Sequence, residues 1–374
     1  MGQVRQSVER ATRAIIDLGA VSHNVAEIRK KIGNERGLMT MVKADGYGHG
    51  AVQVSQAALR SGADSLGVAI PEEGQQLREA GIEAPILVVG LIQPKEAYKV
   101  VKFRLSQAVA SVELLEALDG EAGKASTKVD VHVKVDTGMA RIGVNPEDAV
   151  PFVRKVMGFK NLNLEGIFSH FPSSDERDKT FSMGQLQLFE QVISNLRLAG
   201  IEVPKKHMAN SAGVLDLPQS YYDMVRPGLM IYGLYSSTEV SRSIELRPAM
   251  TFKTKVSQVK VVPSGTPVGY GRTFVTRKKT TVATLPVGYG DGYNRLLSNC
   301  GEVLIKGCRA PIIGNVCMDM CMVDASDVKD VQPGDEVILF GEGLPVEEIA
   351  TKIGTIVNEV VAVVGKRVPR IYIQ

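Results

Sequence analysis

Short apolar runs separated by amphipathic stretches recur along the first two-thirds of the chain. The runs at 38–42, 65–69, 86–89, 105–110, 131–135, 164–168, 206–208 and 224–228 read as strands. Their near-continuous apolar character suits parallel strands covered on both faces. Between them the pattern becomes helical. Leu186, Phe189, Ile193 and Leu196 mark one apolar face at spacings of three and four residues, and Ala57, Ala58 and Leu59 belong to another helix, closed by Gly62. Eight such units predict a (β/α)8 barrel, in which reactive side chains gather at the C-terminal ends of strands. An open doubly wound sheet is the rival, but it does not usually need eight units.

The texture changes near Glu245. Valine-rich alternation and the turns Pro263-Ser264-Gly265, Gly290-Asp291-Gly292 and Pro333-Gly334-Asp335 predict short strands, with helices only at 346–353 and 355–360. Residues 1–244 therefore read as the barrel domain and 245–374 as a separate, mostly β domain. The early strand at 13–18 precedes a helix starting near Ala20 and is expected to pair with the β domain and not with the barrel.

Composition narrows the function. With 44% hydrophobic and 23% charged residues the chain has ordinary globular character, and its net charge of +3 is too slight for a nucleic-acid binder. Basic residues are dispersed, apart from short pieces such as Arg277-Lys278-Lys279. Cys300, Cys308, Cys317 and Cys321 form no Cys-x2-Cys pair and read as reduced and structural, Cys317 and Cys321 sharing one face if they lie on a strand. MGQVRQSVERATR has no apolar core, so it is not a secretory signal, and no stretch is long enough to span a membrane. A cytoplasmic protein is expected, with no metal.

Against that background "MVKADGYGHG" (residues 41–50) raises a chemical question: a lysine stands at the mouth of a buried strand. Lys43 either snorkels to water or works as a Schiff-base lysine, whose neutral amine a confined site would favour. "HMANSAG" (207–213) overlaps and follows the seventh strand, and "MVRPGLMIYG" (224–233) contains the eighth. Loops at those positions of a barrel often bind phosphate. Ser211 can donate a hydroxyl, Gly228 lets the backbone come close, and Arg226 lies within the last strand. A lysine, a phosphate cradle and an arginine on one rim fit pyridoxal 5'-phosphate, with its aldehyde, phosphate and ring nitrogen.

These stretches, together with "VKVDTGMARIG" (133–143), "LEGIFSHF" (164–171), "VGYGRTF" (268–274), "LPVGYGDGY" (285–293), "IGNVCMDMCMVD" (313–324) and "RVPRIY" (367–372), closely resemble the alanine racemase family in its own order along nearly the whole chain. The resemblance implies a pyridoxal-phosphate enzyme that interconverts L- and D-alanine with two bases. By the same resemblance it would supply D-alanine for peptidoglycan and would be a homodimer whose subunits share the active sites. Lys43 would hold the cofactor and serve one face of the substrate α-carbon, and Tyr270 the other. A phenol of ordinary pKa near 10 is a poor base at neutral pH; lowering it by about three units takes roughly 4 kcal/mol. The positions of His170 and Arg226 would lie near that tyrosine.

By the same resemblance Arg226 would face the pyridine nitrogen. A guanidinium cannot accept a proton, so it would keep that nitrogen unprotonated and disfavour side reactions. Tyr47, Ser211, Gly228 and Leu229 match phosphate contacts, and Asn210 and His170 stand in the cofactor-binding loops. Arg141 matches a contact to the phenolic oxygen and to substrate, and Met318 a contact to the substrate carboxylate. Tyr289 and Asp319 match the entrance, and Lys134 a lysine often carbamylated. His49, His132 and His23 read as structural or ordinary.

Two departures stand out. Asn358 replaces a tyrosine that contacts phosphate in the family, which leaves room and a hydrogen-bond partner for a hydroxylated substrate. Pro172 follows Ser-His-Phe where a smaller residue is usual. A serine or broader-specificity racemase is thus the alternative, and racemising each candidate at equal concentration ranks them. A pyridoxal-phosphate homeostasis protein is disfavoured by the second domain and Tyr270, and a decarboxylase by Arg226.

Overall fold

The computed structural model describes residues 10–374. The reading of the first residues as lacking a secretory core, and the start of the barrel assignment, fall on residues 1–9 and lie outside the described residues. The described chain divides into two compact units, Gly19–Arg247 and residues 10–18 with Pro248–Gln374.

Strand β1, Arg13–Asp17, belongs to the second of these. The first unit holds β2 (Gly37–Met41), β3 (Ser65–Val68), β4 (Ile86–Val88), β5 (Ser106–Val109), β6 (Val129–Lys134), β7 (Leu162–Phe168), β8 (Lys205–His207) and β9 (Met224–Val225). They form one eight-stranded sheet in the order β8-β7-β6-β5-β4-β3-β2-β9, parallel throughout. Backbone bonds from Asp223 N–H to Lys206 O (3.1 Å) and Arg226 N–H to Ala209 O (2.9 Å) link its two ends, so the barrel is nearly closed. Each expected strand overlaps an observed one. The last ends earlier than expected, at Val225, which puts Arg226 just past the strand and ahead of Pro227, a residue with no N–H for a ladder.

Side chains fill the barrel. Met39, Met41, Leu87 and Met224 pack together there, with Tyr47 and Val89 against them. A Cβ on Gly67 would sit 2.4 Å from the Met41 sulfur, so this glycine makes room for a methionine that shapes itself to the gap. The helix Thr180–Leu198 buries Leu186, Phe189 and Leu196 as expected; Val192 is buried and Ile193 only half-buried, a slight rotation of the predicted face. None of the described helices is long and apolar enough to cross a membrane.

The second unit is mostly β. Its six-stranded sheet runs Cys308–Pro311, Glu302–Ile305, Glu336–Phe340, Met250–Lys255, β1, Arg370–Ile373. β1 pairs antiparallel with Met250–Lys255 and parallel with Arg370–Ile373. Burial alternates along both β1 and Met250–Lys255, the mark of a sheet with one covered face. Gln258–Val262, Thr280–Leu285 and Cys321–Asp324 form a three-stranded sheet. Cys317 precedes that last strand, so it does not share a strand face with Cys321. The helices are Val346–Ile353 and Val357–Ala362. The second starts later than expected because Gly354, in the left-handed region, ends the first, and Ile356 is still extended. Pro267–Val268 and Phe274–Val275 make a small hairpin whose loop carries Tyr270.

Candidate active site

After β2 the backbone reverses hand. Ala44, Asp45 and Tyr47 have φ of 51°, 52° and 50°, and Gly46 and Gly48 have 60° and 79°. Gly46 N–H bonds Val42 O (2.8 Å) and Gly48 N–H bonds Ala44 O (2.9 Å), which makes a turn of left-handed helix. Each non-glycine residue in that region costs about 1–2 kcal/mol, so the turn has to be held from outside. Glu73 does much of this: its carboxylate accepts from Ala44 N–H (2.6 Å) and Ala69 N–H (2.7 Å). Asp45 accepts from Ala51 N–H at 2.9 Å, and the His49 ring meets the carbonyls of Gly46 and Tyr47. Nothing in the sequence pattern marked Glu73 for this work. The turn sets Lys43 beside Tyr47, four residues on, with the Lys43 amine 6.0 Å from the Tyr47 ring centre.

Lys43 has no hydrogen-bond or ion-pair partner among the described residues. Burial lowers its pKa first, the Arg141 charge lowers it further, and Glu73 opposes only in part. The amine therefore loses its proton more easily than a free lysine and becomes a nucleophile. Lys134, at the end of β6, is buried and donates to its neighbour's carbonyl, Val135 O, at 2.6 Å. Burial, with the Arg226 charge, brings its pKa down to about 7. The loop after β6 wraps the Asp136 carboxylate, which accepts from the N–H groups of Gly138, Met139, Ala140 and Arg141. Those bonds outweigh burial and hold Asp136 ionised, and they fix the stem from which the exposed Arg141 extends.

Arg226 is buried, 5% exposed, and no carboxylate forms an ion pair with it among the described residues. It donates to His207 Nδ1 (2.6 Å), Ser169 O (2.6 Å) and Met208 O (3.3 Å), lies 3.5 Å from His170 Nδ1, and stacks over Phe168 with 5.1 Å to the ring centre. Burial alone brings its pKa down to about 9. His170 is held well below its usual pKa by burial and then by Arg226 and Arg141, so its ring is neutral.

Ser211 opens the short helix Ser211–Asp216, and Leu229 opens the turn Leu229–Tyr232. The Ser211 hydroxyl accepts from Gly228 N–H (3.0 Å) and Met230 N–H (3.4 Å), which ties the two loops together. A Cβ on Gly228 would lie 2.5 Å from the Tyr47 hydroxyl, which has no hydrogen-bond partner of its own among the described residues. Asn210 stands behind this cradle as a helix cap: its Oδ1 accepts from Gly213 N–H at 2.9 Å and from the Ser174 hydroxyl.

The β unit carries a second constellation. Tyr270 is 77% exposed on its hairpin and is flanked by Gly269 and Gly271, both in the left-handed region. With Tyr289, Met318 and Asp319 it lines an open concavity of about 880 Å³. The Met318 loop is pinned. Tyr289 N–H donates to Cys317 O (3.0 Å) and Gly290 N–H to Met318 O (2.9 Å). Arg367 donates to Asp319 (2.8 Å), Met318 O (3.2 Å) and the fully buried Asp291 (2.7 Å), which Arg10 also reaches at 2.5 Å. Arg367 and Asp291 sit in recognised stretches, yet sequence reasoning gave them no role. Asn358 lies half-buried on the helix Val357–Ala362.

The barrel residues fit a phosphorylated aldehyde. A partnerless amine of lowered pKa, a partnerless phenol against a glycine backbone, and cations without carboxylate partners all await an anionic, electrophilic ligand. Such a mouth, in one chain with a mostly β unit, defines a pyridoxal-phosphate enzyme of the barrel class. Residues 16–236 match the alanine racemase N-terminal domain and residues 249–372 its C-terminal domain. Alanine racemases of Desulfovibrio desulfuricans and Halothermothrix orenii are 46% and 44% identical to the chain, covering 98% and 99% of it and 100% and 98% of their own length. Among solved structures, alanine racemase of Clostridium difficile 630 superposes with a TM-score of 0.95 at 37% identity, covering 98% of this chain and 97% of that one. That of Bacillus anthracis with bound L-Ala-P gives 0.92 at 34% identity, covering 98% and 95%. The chain belongs to the alanine racemase family, and its activity is pyridoxal-phosphate-dependent racemisation of alanine.

The state of Lys43 is open to direct measurement. Capture of pyridoxal phosphate by cofactor-free protein should quicken with rising pH and level off below the pKa of about 10.4 of a free lysine. Lys43→Ala should abolish the visible band of the lysine-bound cofactor. A rate still climbing through the ordinary lysine range would contradict the lowered pKa.

Proposed function

We propose that Lys43 and Tyr270 are the two bases of this racemase and that they work on opposite faces of one α-carbon. The observation that carries the reading is the state of the phenols. Burial, with the Glu73 charge, pushes Tyr47 up to about 12, and burial raises Tyr232 well above the usual value. The tyrosines around Lys43 are therefore poor bases, whereas Tyr270 sits exposed on a loop of the β unit. A homodimer is the assembly that lets one subunit's barrel and another's hairpin share a site. The exposure of Tyr270 and of Met318 (54%) in the single chain supports it.

The chemistry that pyridoxal phosphate supplies when bound is an aldehyde carbon for the substrate amine and a ring that delocalises the electron pair left by Cα–H cleavage. Tyr47, Ser211, Gly228 and Leu229 would hold its phosphate, with Asn210 supporting the cradle, and Arg141 would bond its phenolic oxygen. Arg226 would offer its ring nitrogen only N–H donors and would keep that nitrogen unprotonated. Starting from one enantiomer, Lys43 Nζ or Tyr270 Oη removes the α-proton from one face and the other group returns a proton to the opposite face. Met318 N–H orients the substrate carboxylate during this exchange. The resulting D-alanine supplies peptidoglycan synthesis in the cytoplasm; four unpaired cysteines suit a reducing compartment.

Lys134, buried and with a pKa near 7, is the third element. Its neutral amine adds to carbon dioxide and loses a proton, which turns a cation into a carbamate anion beside Arg141. Protein equilibrated with ¹³C-bicarbonate should show a carbamate carbon signal that fades as pH falls through that value and is missing in Lys134→Ala. A signal that persists in the variant would exclude this site.

Tyr270→Phe should keep the cofactor band and lose on the order of 10²–10⁴-fold in turnover. α-Proton exchange should become unequal for L- and D-alanine, since one face keeps its base. Full racemisation by this variant would overturn the two-base assignment.

A further inference from the structure

His132, read from sequence as ordinary, is one link in a buried chain. Arg226 Nη1 lies 2.6 Å from His207 Nδ1, His207 Nε2 lies 2.9 Å from His132 Nδ1, and His132 Nε2 lies 2.9 Å from Glu165 Oε2. Lys205 Nζ caps the other carboxylate oxygen at 2.5 Å. His132 and His207 are 2% and 0% exposed.

The protons along this chain can be assigned by elimination. Arginine cannot accept, so His207 Nδ1 is the acceptor. Burial keeps His207 and His132 below their usual pKa, so each ring carries one proton. The His207 proton is then on Nε2 and is donated to His132 Nδ1. That leaves the His132 proton on Nε2, where Glu165 accepts it. Glu165 is ionised, its pKa held at about 2 by the His132 bond in spite of burial and further by Lys205. Every donor in the chain points the same way, from a buried cation to the carboxylate. Aligned bonds of this kind polarise one another.

The barrel is built around the chain. A Cβ on Gly166 would lie 2.3 Å from His132 Nδ1, so β7 carries a glycine where the ring has to pass. The Phe168 ring stacks on His207 at 4.9 Å and 3° and also lies under Arg226. The chain starts at Glu165 and Lys205, mid-β7 and the beginning of β8, and ends just past β9, at the end of the barrel where reactive side chains gather.

We infer that Glu165 and His132 are positioning residues for the racemase reaction: through His207 they hold Arg226 in one orientation and give its buried charge a path to an anion. This rests on Arg226 facing the cofactor ring, as proposed above. Neither Glu165 nor His132 touches substrate or cofactor.

The test starts with cofactor-free protein. Nitrogen-15 NMR of its histidine side chains should show His207 and His132 neutral and protonated on Nε2. In the holoenzyme, His132→Leu should lower kcat on the order of tenfold for both enantiomers. KM should stay within about twofold, and the pH dependence of the cofactor band should shift. His132→Gln, whose amide keeps one acceptor and one donor, should recover most of both. If His132→Leu does not fold, Glu165→Gln carries the same expectation. His207 protonated on Nδ1, or a folded His132→Leu or Glu165→Gln variant with wild-type kcat and band, would overturn the inference. Absence of racemisation in the unmodified enzyme would instead sink the functional reading and leave the NMR result standing.

Discussion

Four cationic side chains, Lys43, Lys134, Arg141 and Arg226, belong to one end of the barrel, and among the described residues none has a carboxylate as ion-pair partner. Burying charge without a counterion is costly, and the protein answers in three ways. It weakens the lysines' hold on their protons: burial lowers the pKa of Lys43 and brings that of Lys134 down to about 7. It keeps His170 and His207 neutral. It connects the buried Arg226 charge to Glu165 through two imidazoles. The remaining positive potential suits a phosphate ester, and an amine of lowered pKa suits an aldehyde.

The same burial decides where the second base can come from. A site that favours neutral amines also favours neutral phenols, which is why Tyr47 is pushed up to about 12. A tyrosine that has to ionise needs another setting. The proposed second base, Tyr270, instead lies exposed on a glycine-flanked hairpin of the β unit, whose Met318 loop Arg367 and Asp291 hold in place. On the two-base proposal, barrel and β unit carry different halves of one reaction.

Much of the barrel was legible because parallel strands covered on both faces leave continuous apolar runs, and lysine at the end of such a run stands out. What escaped was whatever depends on distance or on backbone hand. His132 and His207 are 75 residues apart, and His132 and Glu165 are 33 apart, so no local pattern joins them. The left-handed turn places Ala44 and Asp45 where propensity would favour glycine, and its support from Glu73 comes from 29 residues away. The apolar run through Arg226 reads as strand, but Pro227 has no N–H for the ladder and the strand ends at Val225. Asn210 was legible as a loop residue, but its capping bond to Gly213 appears only once the helix is seen.

Subunit complementation tests the division of labour most directly. Lys43→Ala and Tyr270→Phe proteins, each nearly inactive, would be mixed under conditions that allow subunits to exchange. A mixed dimer has one site with both bases intact and one with neither, so activity should return to on the order of a quarter of the unmodified enzyme at full exchange. If exchange is verified and no activity returns, the amine and the phenol do not meet across subunits, and the account fails at its centre.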